Sequence, residues 1–237
     1  MPVKIIACEV MKEELLTVAH STDVEFQFIS MGLHRYPDKL RAELQNLLDA
    51  TVGYSRVVLA FGLCGGAARN LKPSGFTLTI PRVHDCIPLL LGSRERFDRL
   101  AHEEKGTFYY TRGWIEGWKN ARGDSSILTE HQRIKDKFGE KKANSVVKRM
   151  YAAYTRILYI KTGVPEDGFY LQRSVDVARL LDVKHEVTHG DLGYIDRIVN
   201  GPYDERNFIN VTSEDTLDDT SFMAYDAKVL SSPAARV

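Results

Sequence analysis

Cysteine is scarce in this chain. Its 237 residues carry three, an odd number, which argues against a closed disulfide framework and leaves thiols that are free, metal-bound or catalytic. An excess of charge of one sign is missing too. Thirty-two basic residues meet 32 acidic ones, so a net charge of zero gives no electrostatic case for nucleic acid or an anionic membrane as the main partner. No apolar run is long enough to span a bilayer. The opening Met1-Pro2-Val3-Lys4-Ile5-Ile6 lacks the basic stretch and cleavage site of a secretory leader, so a cytoplasmic protein is expected. Also absent are a Gly-x-Gly-x-x-Gly turn with a ribose-binding acid, a phosphate-binding lysine and a Gly-x-Ser-x-Gly elbow. Dehydrogenase, kinase and serine hydrolase readings therefore rank low.

What is there is an alternation of strand and helix patterns. Residues 3–8 and 24–29 read as strands, the second alternating as a half-exposed strand does; 10–19 read as an amphipathic helix. Pro37 opens a helix with Leu40, Leu44, Leu47 and Leu48 on one face. Residues 56–61 are almost wholly apolar, as in a strand covered on both faces, and 76–80 give a fourth strand. Pro88 suits the first turn of a short helix, and Ser93 caps the next. Further on, 107–111, 157–160, 183–188 and 208–211 read as strands, with helices over 129–155 (broken near Gly139), 168–182 and from Leu192 to a Gly201 cap.

This βαβ order predicts an α/β protein with a mostly parallel, doubly wound, Rossmann-like sheet. One domain over 1–211 is expected, with two similar lobes, 1–106 and 107–211, as a variant. The weakly periodic residues 212–237 are expected to be a surface-hugging or disordered tail.

The three cysteines fall where strands end. Cys8 closes the first, Cys64 lies in the Gly62-Leu63-Cys64-Gly65-Gly66 turn after the third, and Cys86 follows the fourth in His84-Asp85-Cys86. If the strands are parallel neighbours, all three thiols share the carboxyl edge, where open α/β sheets bind ligands. The candidate metal set is Cys8, Cys64 and Cys86 with His84, holding zinc with an open position or an iron–sulfur cluster. His84 and Cys86 are also the candidate catalytic pair, with the start of the Pro88 helix expected to favour the Cys86 thiolate. The bland alternatives are small buried thiols and a structural histidine. Gly65 and Gly66 could cradle an anion or simply make a tight turn. Arg94, beside Ser93, could grip a carboxylate or phosphate, whereas Arg96 is expected on a solvated face. Trp114 could wall the pocket, although it and Trp118 suit a core or interface. Glu9 is expected to be an exposed first-turn carboxylate, Asp85 and Asp191 helix caps, and the Lys141, Lys142, Lys148 and Arg149 face solvated.

Several blocks together resemble the family called domain of unknown function 1638: Ala7–Val10, Gly62–Gly65, Pro81–Ile87, Leu90–Phe97, Gly113–Ile115 and Gly190–Leu192. Arg112 departs from the proline expected before Gly113-Trp114. The family name carries no activity. The resemblance implies a setting near corrinoid-dependent methyltransferases, and hence a corrinoid carried by a partner protein. The expected function is a metal- or thiolate-dependent transferase in methyl-group metabolism acting on a small-molecule substrate. The alternatives are a non-catalytic metal- or cofactor-handling or sensing protein, and a metal-free Cys86/His84 hydrolase or lyase. Exposed aromatics point to a homodimer.

Overall fold

A computed structural model of the chain describes residues 3–20, 23–120 and 126–223. The strands Val3–Cys8 (β1), Val24–Ile29 (β2), Arg56–Ala60 (β3) and Thr77–Pro81 (β4) lie parallel. Thr107–Tyr110 (β5), Arg156–Lys161 (β6) and Lys184–His189 (β7) form a second parallel sheet. Phe208–Val211 (β8) returns to the first sheet and pairs antiparallel with β4, giving the order β2-β1-β3-β4-β8. The architecture is thus α/β with a mostly parallel five-stranded sheet and a three-stranded parallel sheet, helices interleaved. The expected second lobe does not keep the last strand of 107–211: alternation marks β8 as a strand but carries nothing about its partner.

The helices are Lys12–Val18 (α1), Pro37–Asp49 (α2), Ile87–Leu91 (α3), Arg94–Glu103 (α4), Arg112–Asn120 (α5), Ile127–Phe138 (α6), Glu140–Met150 (α7), Gly168–Leu181 (α8) and Gly193–Asn200 (α9). None is long and apolar enough to cross a membrane. The main core forms where Ile5, Ile6, Val57, Val58, Leu59 and Leu78 of the central strands meet Leu40, Leu44 and Leu48 of α2, all with no exposed surface. Each such side chain contributes about 1.5–3 kcal/mol relative to leaving it in water. α9 joins this core through Tyr194, Ile195, Ile198 and Val199, so the first sheet is completed by chain that follows the second. A smaller core gathers Ile157 and Tyr159 of β6, Val147 of α7, and Val177 and Ala178 of α8.

Up to residue 223 the irregular tail is anchored to the main core by buried side chains. Leu217 is 1% and Phe222 0% exposed, and both belong to the main core. Arg69 clasps Asp219, and the buried Arg82 donates to the Ser221 carbonyl. Two anchors five residues apart carry no helical or strand period, which is why the segment looked structureless. Residues 224–237 lie outside the described residues.

Candidate functional site

Strand order creates the site. β1 lies between β2 and β3, so the chain's progression across the sheet reverses at β1 and β3, the switch point where open sheets leave a crevice beyond their carboxyl ends. Cys8 is the last residue of β1, in register with Ile29 of β2, while Ala7 aligns with Ala60 at the end of β3. Cys64 lies four residues beyond β3 in a turn whose backbone is left-handed at Cys64 (φ 47°), Gly65 (φ 69°) and Gly66 (φ 93°). Left-handed backbone at a non-glycine residue is a cost that surrounding contacts must hold in place. Those contacts are visible. The amides of Leu63 and Cys64 donate to the carbonyls of Val83 and His84 at 3.0 and 2.9 Å, and Arg41 Nη2 donates to the Gly66 carbonyl at 2.9 Å. A Cβ on Gly62 would lie 2.6 Å from the Asp85 nitrogen, so glycine is needed for this turn to meet the 84–86 turn.

The two cysteine turns are therefore stitched together over the end of β1. Cys8 is 2% exposed, and Cys64 and Cys86 are half-buried. Burial dominates their acidity, since a thiolate loses water there that nothing replaces. Cys8 and Cys64 are both pushed up to about 12. Cys64 feels the charge of Cys8 and Asp85 as well, and Cys86 is raised by burial, then by Asp85, Cys8 and Cys64. Cys8 thus bears on both other thiols and Cys64 on Cys86, in keeping with three sulfurs gathered at one sheet edge. Burial also corrects the expectation for Cys86: at the start of the five-residue α3 it outweighs any help from the helix dipole. Among the described residues no three His, Cys, Asp or Glu side chains stand in an arrangement that would hold a metal ion.

The other predicted residues are placed as follows. His84 is exposed, while Asp85 Oδ1 accepts from the Ile87 amide at 2.8 Å and caps α3. The 83–86 stretch bends instead of extending, so His84 and Cys86 do not share a strand face. The Gly66 amide donates to the Leu63 carbonyl, so with the Leu63 and Cys64 amides also bonded, this turn's backbone is held chiefly by its own chain. Glu9 is half-buried, not exposed: its Oε1 accepts from Ser30 Oγ at 3.0 Å and from the Met31 amide at 2.7 Å, tying the ends of β1 and β2. Ser93 caps α4. Arg94 reaches the carbonyls of Arg82 and Phe222 at 3.4 and 3.3 Å. Arg96 is not on a solvated face; it bonds the Leu91 carbonyl at 3.3 Å and Thr188 Oγ1 at 2.8 Å across to β7. Trp114 packs against both cores, edge-on to Trp118 and Phe108. Asp191 caps α9 through the Gly193 amide at 2.6 Å.

Two polar groups near these edges escaped sequence reasoning. His34 follows β2, stacks on Phe61 at 5.8 Å and has a buried Nε2 without a hydrogen-bond partner; burial lowers its pKa. Glu14 on α1 is 1% exposed and accepts from Thr162 Oγ1, beyond β6, at 2.8 Å, with its other oxygen buried and unpartnered. Its signal was available: Met11, Glu14, Leu15 and Val18 form one helical stripe, and a charge on an apolar stripe calls for a partner.

A family model described as protein of unknown function, DUF1638, matches residues 28–199. The chain belongs to that family. The DUF1638 match takes in Cys64, Cys86, the Leu91–Arg96 block and Asp191, while Cys8 precedes it. No curated protein and no solved structure matches the chain.

Proposed function

We propose that the thiols of Cys8, Cys64 and Cys86 take up a soft metal ion at the switch point, and that the loaded site serves transfer of a methyl group. The observation that carries this is geometric: Cys8 ends β1, and the Cys64 and Cys86 turns are stitched together beside it by the Leu63 and Cys64 amides on the Val83 and His84 carbonyls, so three thiols come from three separate strand ends. The donor type is that of zinc or an iron–sulfur cluster, but the three thiols as they stand do not form a metal-holding group, so the Cys64 and Cys86 turns would have to draw in on Cys8 as the ion binds. Such an ion, held by three side chains with one position open, supplies Lewis acidity to a substrate thiol or water. The chain's own residues supply the rest. The Cys64 and Cys86 turns would close on Cys8 while remaining half open to a substrate, and each thiol, protonated at neutral pH, would release its proton on binding. A corrinoid protein as methyl donor is the partner that the family resemblance implies.

A metal-free Cys86/His84 nucleophile fares worse, because the thiol is held protonated by burial and His84 stands at the surface. A delivery or sensing role uses the same ligands without turnover. Elemental analysis of protein purified without oxygen tests the proposal. About one zinc per chain, or iron with sulfide, is expected, absent from a folded Cys8/Cys64/Cys86 triple alanine variant. No stoichiometric metal in the wild type, or equal metal in the variant, overturns it.

A further inference from the structure

A second site lies away from the thiols, where α3 turns into α4 and meets α9. Gly92 and Asp191 approach so closely that a Cβ on Gly92 would sit 2.4 Å from the Asp191 Cβ. Beside this contact opens a cleft of about 390 Å³, lined among others by Ser93, Arg96, Asp191 and Arg197. That volume suits a small ligand. It brings together two blocks the sequence sets far apart, Leu91–Arg96 and Asp191–Arg197.

We propose that this cleft binds a phosphate or carboxylate group on the guanidiniums of Arg96 and Arg197. Arg96 is fixed by bonds from Nη1 to Leu91 and from Nη2 to Thr188, which engage two of its five N–H groups and leave three to donate. The Arg197 guanidinium lies over the Tyr194 ring, 4.8 Å from its centroid, and makes no side-chain hydrogen bond or ion pair among the described residues. Tyr194 is itself locked, 2% exposed, with its hydroxyl donating to the Asn207 carbonyl at 2.6 Å. Two held guanidiniums are the planar forks that fit carboxylate and phosphate oxygens. Ser93 Oγ accepts from the Arg96 amide at 3.0 Å and keeps its O–H to donate. Asp191 lines the same cleft and contributes one negative charge against the two positive ones, with its Oδ1 already accepting from the Gly193 amide. Arg94, the residue expected to grip an anion, is directed instead to the Arg82 and Phe222 carbonyls.

The inference is independent of the thiol proposal. Titration calorimetry with inorganic phosphate and, separately, with L-malate tests it and distinguishes the two anion sources. Saturable binding of at least one is expected, weakened tenfold or more in Arg197→Gln and unchanged in Arg99→Gln, a charge removed elsewhere on α4. If Arg197→Gln does not fold, Arg197→Lys, which keeps the charge and loses the fork, is expected to weaken binding severalfold. No saturable binding of either anion up to about 10 mM, or equal binding by the Arg197 and Arg99 variants, overturns the proposal.

Discussion

The carbonyl oxygen of Val10 stands 1.8 Å from the place a Cβ on Gly113 would take. Val10 follows β1 and Gly113 follows β5, so backbone meets backbone where the carboxyl edges of the two sheets approach. Nothing but glycine fits without pushing α5 off the first sheet. Gly113→Ala is expected to cost about 2–3 kcal/mol through this clash, read as a lower urea midpoint. Gly168→Ala, with open space around its Cβ, is the matched control and is expected to be neutral or slightly stabilising. Equal midpoints for the two variants would mean the seam yields freely.

Glu14 should make stability depend on pH in an unusual direction. Burial raises its pKa above the ordinary 4.5, with Thr162 and Arg112 opposing. A carboxyl raised in the fold contributes stability that is complete below its ordinary pKa and is lost as pH climbs through the folded value. Glu14→Gln keeps the shape and removes the ionisation. It is therefore expected to be more stable than wild type by about 1 kcal/mol near pH 8, with the difference vanishing near pH 4. A variant less stable at both pH values would show instead that Arg112 holds the group ionised.

The fold was legible where one physical cause acted alone. Val57-Val58-Leu59-Ala60 read as a covered strand because both its faces are packed, and Pro37, Ser93 and Gly201 marked helix ends by local backbone chemistry. The cysteine positions were legible for the same reason, since each closes or follows a strand. Long-range partners were not. No local pattern says that β8 pairs with β4, that Arg82 is buried among the Glu205, Phe208 and Ser221 carbonyls, or that Arg96 crosses to Thr188. Those contacts depend on which elements meet, which single-chain periodicity does not encode.

The 212–223 segment supplies a test of such a contact. Phe222 has no exposed surface and sits in the main core although its own turn spans only Asp219–Phe222. Phe222→Ala is expected to cost about 3–5 kcal/mol, the range for a truncated core aromatic. Disrupting the Arg69–Asp219 pair, which is half-exposed, should cost no more than about 1 kcal/mol. Similar losses from Phe222→Ala and Asp219→Asn in urea unfolding would contradict this division between packing and charge.

The thiols make the last prediction. Burial raises Cys8 and Cys64 from 9.0 to about 12, so at pH 8 far less of either thiol is thiolate in the native protein than in the unfolded chain. Iodoacetamide should thus modify both slowly in the native protein and quickly in urea, with the sites read by mass spectrometry. The same shift acts on stability. The protonated thiols contribute fully below pH 9.0, and that contribution drains away as pH rises toward about 12. Cys64→Ala should flatten this alkaline loss in part, because it removes one titrating group and relieves its neighbours. Fast native alkylation at pH 8 would instead place a cation beside the sulfurs, since a bound or neighbouring positive charge is what lowers a buried thiol. Slow alkylation that becomes slower still on adding zinc would join this prediction to the proposed site, because a metal-held thiolate is withdrawn from the reagent.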